Sequence, residues 1–132
     1  MTHPTFSMVT NMDYENLVKA WNLELVNVVD QHGNTLLMHA LHCFCYGYYN
    51  DGPKLYRICK FLINKGVNLN VINHLNQSAH LLAILADRYG RQEWNGQINI
   101  ITSAIVYLIE MKLKIKYSGS DVVDVKNYIT MN

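Results

Sequence analysis

The chain has 132 residues, of which 50% are hydrophobic and 16% charged, enough for one core and too few for two comfortable ones. A formal net charge of +1 excludes a general polyanion binder, which needs a clustered excess of Lys and Arg, so no nucleic-acid partner is expected. With no apolar run near the ~20 residues of a membrane span, no signal-peptide pattern in Met1-Thr2-His3-Pro4, and Cys43, Cys45 and Cys59 fitting reduced thiols, a cytoplasmic protein with no membrane partner is expected.

Residues 2–9 read as a short tail. Thr10 or Asn11 then caps a helix that carries Tyr14, Leu17, Val18 and Trp21 at i, i+3, i+4 and i+7, a single apolar stripe. Val26-Asn27-Val28-Val29 leads into a turn, after which Asn34 or Thr35 caps a helix to about Cys45. Residues 46–52 are loop by their glycines and Asn-Asp pair, and Pro53 opens a helix that buries Leu55, Ile58, Cys59 and Leu62. Ser78 caps the next helix to about Asp87, residues 88–96 are loop, and Ile98–Met111 is an apolar helix with Ile101, Ile105, Leu108 and Ile109 inward. Lys112, Lys114 and Lys116 alternate with Leu113, Ile115 and Tyr117, the period of an extended segment. Ser120 starts a last helix whose stripe of Val122, Val125 and Ile129 opposes Asp121, Asp124, Lys126 and Asn127.

Within this order the chain repeats itself. Asp30-Gln31-His32-Gly33-Asn34-Thr35-Leu36-Leu37-Met38-His39-Ala40 and Asn73-His74-Leu75-Asn76-Gln77-Ser78-Ala79-His80-Leu81-Leu82-Ala83 share the frame D/N-x-x-G/N-x-T/S-x-x-x-x-A, with every anchor 43 positions apart. Gly33 and Asn76 hold the same place because both residue types accept positive φ. Upstream of the second copy runs Leu62-Ile63-Asn64-Lys65-Gly66-Val67-Asn68-Leu69-Asn70, and Leu108-Ile109-Glu110-Met111-Lys112-Leu113-Lys114-Ile115-Lys116 restarts that pattern 46 positions after Leu62.

These segments resemble ankyrin repeats, in which a hairpin finger precedes two antiparallel helices. The resemblance departs from the family in three respects. Thr35-Leu36-Leu37-Met38 and Ser78-Ala79-His80-Leu81 stand where the family has T-P-L-H; the spacing exceeds the usual ~33 residues; and the excess lies between the two helices of each unit. The implied fold is an all-α ankyrin-like helical-repeat solenoid with short hairpin fingers and terminal capping helices. Its expected parts are an N-terminal tail and capping helix over 1–29, repeats over 30–72 and 73–118, and a capping helix over 119–132, all in one domain.

Chemistry-bearing constellations are sparse. His39, His42, Cys43, Cys45 and Cys59 are zinc-type ligands, and His39 and Cys43 share a helix face at i, i+4, but no second ligand pair closes a site, so no metal or cofactor is expected. The same residues in an enzyme would be a Cys-His nucleophile, with Asp30, Asn34 or Asn73 as orienting group. Nothing in the spacing specifies that arrangement, and thiols in apolar helical stretches tend to be inert, so catalysis is not expected. Asp13 and Glu15 share a helix turn but not a face. The lysine row at 112, 114 and 116 reads as a solvated hairpin edge protected against strand pairing.

The resemblance implies a protein-binding module, with partner-reading residues at the finger tips and along the first helix of each unit. Carried over, these are Gln31, His32, Asn34 and His42 in the first unit and His74, Leu75 and Gln77 in the second. The inserted loops add Tyr48 and Tyr49 beside Tyr46, and Arg88, Tyr89 and Trp94 beside Arg91, residue types that dominate protein-interface hot spots. The expected function is that of an inhibitor, immunity-type factor or effector that occupies another protein's functional site, acting in a host cell if it is an effector. The chain is expected to be a monomer or weak homo-oligomer; a homo-oligomeric structural module and a cysteine hydrolase are the alternatives.

Overall fold

The computed structural model describes residues 2–46, 51–89 and 97–132, with 97–99 described as backbone only. Among these residues lie α1 (Thr5–Thr10), α2 (Tyr14–Ala20), a 3-10 turn (Leu23–Val26), α3 (Leu36–Cys45), α4 (Gly52–Asn64), α5 (Ala79–Tyr89), α6 (Gln97–Lys112) and α7 (Val122–Met131), and no strand. The all-α expectation holds. Tyr48, Tyr49, Arg91 and Trp94 lie outside the described residues.

Local chemistry explains where the helices begin. Thr35 accepts from the Met38 amide at 3.2 Å, Ser78 from the Leu81 amide at 3.1 Å, and Asp51 from the Lys54 amide at 3.1 Å one residue before the Gly52-Pro53 start of α4. Three of the helices stop on a left-handed residue whose amide reaches back three positions while the next amide reaches back five. Gly66 is the expected one, with φ +86° and bonds from Gly66 to Ile63 and from Val67 to Leu62. Met12 and Lys114 do the same without being glycine, at φ 54° and 59°.

The helices form two rows. α1, α3 and α5 pack side by side, as do α2, α4 and α6; α1 also packs on α2, α3 on α4 and α5 on α6, while α7 covers α6. Between the rows lies one core, built from Leu36, Leu37 and Leu41 of α3, Leu55, Ile58, Cys59 and Leu62 of α4, and Ile101, Ile105 and Ile109 of α6, each at most 1% exposed. Burying each large aliphatic side chain there stabilises the fold by about 1.5–3 kcal/mol. At the N-terminal side Phe61 meets the edges of Tyr14 and Trp21 at 5.8 and 5.6 Å, which fixes α2 against α4.

Several expectations are corrected. Residues 2–9 are not a tail: Thr5, Phe6 and Val9 are buried, and α1 packs on α3. Neither Thr10 nor Asn11 caps α2, because the Thr10 hydroxyl is engaged with the Phe6 carbonyl and His39, and Asp13 takes the cap through the Asn16 amide at 3.3 Å. Lys112–Tyr117 is not one extended segment: Lys112 ends α6 and Lys114 sits in a left-handed turn. That turn lies 48 positions after the left-handed turn at Gly66. In α7 the inward residues are Val125, Tyr128 and Ile129, whereas Val122 is 38% exposed.

Candidate binding groove

The two sequence copies fold into two loops with the same hydrogen bonds. Oδ1 of Asp30 accepts from the amides of His32 and Asn34 at 2.8 and 3.0 Å; Oδ1 of Asn73 accepts from those of Leu75 and Gln77, both at 2.9 Å. In each loop the first residue's amide bonds to the carbonyl four positions on, Asp30 to Asn34 at 2.9 Å and Asn73 to Gln77 at 3.0 Å. The residue three positions on adopts positive φ, +81° at Gly33 and 60° at Asn76. The loops also bond each other: the His74 amide donates to the His32 carbonyl at 3.0 Å, and Nδ2 of Asn73 donates to Oδ1 of Asn34 at 2.8 Å. Gly33 faces Asn73 and His74 so closely that an added Cβ would come within 3.2 Å of the Asn73 backbone.

Two clefts of about 270 Å³ each open where these loops meet α3 and α5. The first is lined by Thr2, Thr10, Asp30, Gln31, His32, His39, His42 and Cys43. The second is lined by His42, Cys45, Tyr46, Gln77, Leu82, Leu85 and Tyr89. His42 lines both, so the two clefts are adjacent and together make the candidate groove, and the His42 ring lies 4.5 Å from that of Tyr46.

The groove gathers part of the residue set drawn from the sequence. Gln31, His32 and His42 line the first cleft, and His42, Gln77 and Tyr89 the second. His74 and Leu75 are exposed at the tip of the second loop, and Arg88 is exposed at the end of α5. Asn34 is a correction: at 1% exposure its side chain is engaged with Asn73 and cannot read a partner. Thr2, Thr10 and His39 were not singled out as binding residues. His39 lies three positions before His42, the helical spacing that brings two side chains to one face, while Thr10 reaches the groove only because α1 exists.

His39 is the most connected polar side chain of the groove. Its Nδ1 lies 3.2 Å from Oδ2 of Asp30, and its Nε2 lies 2.8 Å from Oγ1 of Thr10 and 3.6 Å from Sγ of Cys43. Phe6 packs edge-on against the ring at 5.4 Å. Desolvation lowers the pKa of His39 and outweighs the opposing pull of Asp30; His42 is lowered as well, by burial and then by His39. Burial pushes the thiols of Cys45 and Cys59 up. Among the described residues no group of three or more His, Cys, Asp or Glu side chains has a metal-holding arrangement, and no helix is long and apolar enough to cross a membrane.

A wider cleft, about 480 Å³, lies at α2 and α4, lined by Tyr14, Arg57, Lys60, Phe61, Asn64, Lys65 and Asn132. Arg57 sits 4.3 Å over the Tyr14 ring and Lys65 5.7 Å over Phe61, so the cationic stems roof the aromatic cluster between α2 and α4. Comparison of the chain with protein-family models, with curated proteins and with solved structures finds no match in any of the three.

Proposed function

We propose that the chain is an ankyrin-type protein-binding module that holds another protein in the groove between its loops and α3 and α5, acting as an inhibitor, immunity-type factor or effector. The observation that carries this reading is the pair of adjacent clefts that share His42. Tyr46 and Tyr89 line the second cleft while remaining 65% and 78% exposed, and Leu75, 69% exposed, tips the loop that holds Gln77. Large side chains kept in water beside a concavity gain free energy when a partner covers them. The loop that recurs after 43 positions and the two helix rows support the repeat reading, since stacked units present their loops along one edge.

The test starts with affinity capture from the source cell and identification of the bound protein by mass spectrometry. Tyr46→Ala, Leu75→Ala and Tyr89→Ala should then weaken binding by about 2 kcal/mol each with melting temperature nearly unchanged, as hot-spot truncation does. Lys54→Ala, on α4, serves as the control and should leave affinity unchanged. Loss of binding in the control with full binding in the three groove variants would place the interface elsewhere. Light scattering after size-exclusion separates this reading from a self-associating module, which would elute as a stable oligomer that Tyr89→Ala dissociates.

A further inference from the structure

We propose that Cys43 is a nucleophilic thiol that takes small carbon electrophiles from the first cleft, with His39 as its base and Asp30 as the residue that positions the base. This proposal rests on no protein partner. His39 and Cys43 stand at i, i+4 on α3 and face each other, Sγ to Nε2 3.6 Å. Asp30 determines which ring nitrogen is free. Its Oδ1 is already held by the amides of His32 and Asn34, so the carboxylate cannot turn, and its Oδ2 meets Nδ1 at 3.2 Å. A carboxylate only accepts, so Nδ1 carries the proton and Nε2 offers its lone pair toward the thiol.

Thr10 competes for that lone pair: with Nδ1 protonated its hydroxyl donates to Nε2 at 2.8 Å, so Cys43, at 3.6 Å, gains the lone pair only when the Thr10 hydroxyl rotates away from the ring. The titratable groups that face His39 are Asp30 and His32 from the loop and His42 and Cys43 from its own helix; α1 presents Thr10 and Phe6, which do not titrate. Desolvation keeps the imidazole neutral near pH 7, the state a base needs.

Cys43 is 4% exposed yet lines a cleft of about 270 Å³ whose other walls include Thr2, Gln31 and His32, a size that admits a small molecule. In the reaction the thiol proton moves to Nε2 and sulfur bonds to the electrophilic carbon. With an alkyl halide the carbon–halogen bond breaks, halide leaves and the imidazolium proton passes to water. With an α,β-unsaturated carbonyl compound nothing leaves and the proton goes to the α-carbon. Cys43 lies in the last turn of α3, away from the unpaired amides of a helix N-terminus that would hold an oxyanion, so the product is a stable adduct and not a hydrolysed ester.

The full chain, treated with iodoacetamide across pH 5.5–9 and read by peptide mass spectrometry, tests this. At pH 7 Cys43 should alkylate at least about tenfold faster in the wild type than in His39→Gln, the factor carried by one pKa unit, with an inflection below the ordinary thiol range. Cys59, wholly buried, should stay unlabelled and so report that the chain is folded. His39→Gln should return the Cys43 profile to that of an ordinary thiol. Asp30→Asn, which keeps the loop acceptor, should lower the rate and shift the profile. Thr10→Val, which removes the competitor at Nε2, should raise the rate. A wild-type Cys43 that follows an ordinary thiol profile overturns the proposal without recourse to any variant, as does a rate that His39→Gln and Thr10→Val both leave unchanged while Cys59 remains protected.

Discussion

Asp30 and Asn73, 43 positions apart, close their loops in the same way, each accepting the amides two and four residues ahead through Oδ1. They differ in what the second side-chain atom does. Oδ2 of Asp30 turns to His39, whereas Nδ2 of Asn73 donates to Asn34 and Gln77 and ties the loops together. Asn73→Ala therefore removes four hydrogen bonds at a site 6% exposed and strands the buried side-chain oxygen of Asn34. A loss of about 2–3 kcal/mol in denaturant unfolding is expected, the range for unsatisfied buried polar groups, against a near-zero effect for the exposed Leu75→Ala.

How much was legible in the sequence follows from the range over which each signal acts. The loops, the caps at Thr35 and Ser78 and the buried face of α4 were legible, because each depends on residues within a few positions of one another. The burial of Asn34 was not, since its partner Asn73 lies 39 positions away and only the stacking of the loops reveals it. α1 was missed because six residues carry too little periodicity to stand out; its apolar face has meaning only against α3. The turn at Lys114 was read as strand because a left-handed stop ordinarily announces itself with glycine or asparagine, and here it does not. The i, i+4 spacing of His39 and Cys43 was visible, but not the choice of Asp30 among three possible orienting groups.

That turn carries its own prediction. Lys114 bears the steric cost of φ 59° while its side chain is exposed. Lys114→Gly should raise stability by about 0.5–1 kcal/mol, since glycine enters the left-handed region freely although it loses more chain entropy on folding. Gly66→Ala, at φ +86° with open space around it, should do the reverse by a similar amount. Equal or opposite shifts in urea midpoint would contradict the strain assigned to both positions.

Tyr56 is buried between α4 and α7, with its ring 4.9 Å from that of Tyr128, and its hydroxyl finds no hydrogen-bond partner among the described residues. Tyr56→Phe should leave stability unchanged or raise it by about 1 kcal/mol, because the hydroxyl's desolvation goes uncompensated. Burial pushes the Tyr56 pKa up to about 12 from 10. The folded state then holds a proton that the unfolded chain releases between those values, so stability falls as pH rises from 10 to 12, by up to about 2–3 kcal/mol at 1.36 kcal/mol per unit. Urea titrations at pH 9 and pH 11.5 should show a smaller loss in Tyr56→Phe than in the wild type.

At the acid side the sign reverses. His39 and His42 both have folded pKa values below the ordinary 6.5, so below that pH the unfolded chain binds protons that the folded chain resists. Stability should be fully present above pH 6.5 and decline as pH falls through the folded values. His42→Gln should flatten that decline in a melting-temperature series from pH 7.5 to 5, and an unchanged slope would assign the loss to other groups.

The last prediction concerns α7 and the unity of the fold. Val125, 1% exposed, and the half-buried Tyr128 and Ile129 cover apolar surface on α6 and Tyr56 of α4, and among the described residues each helix hairpin packs mainly on its neighbours along the rows. Such a chain unfolds as one unit only while its terminal surfaces stay covered. Val125→Ala should cost about 1–3 kcal/mol, and removal of residues 119–132 should lower the melting temperature and promote association through the bared face. In the intact chain Trp21 sits at the opposite end, packed edge-on against Phe61. In a Trp94→Phe chain, where Trp21 is the one tryptophan left, its fluorescence and the far-ultraviolet circular dichroism should therefore trace a single coincident transition. Separate midpoints, or a truncated chain that melts like the intact one, would show that α7 is an appendage and that the hairpins hold together without it.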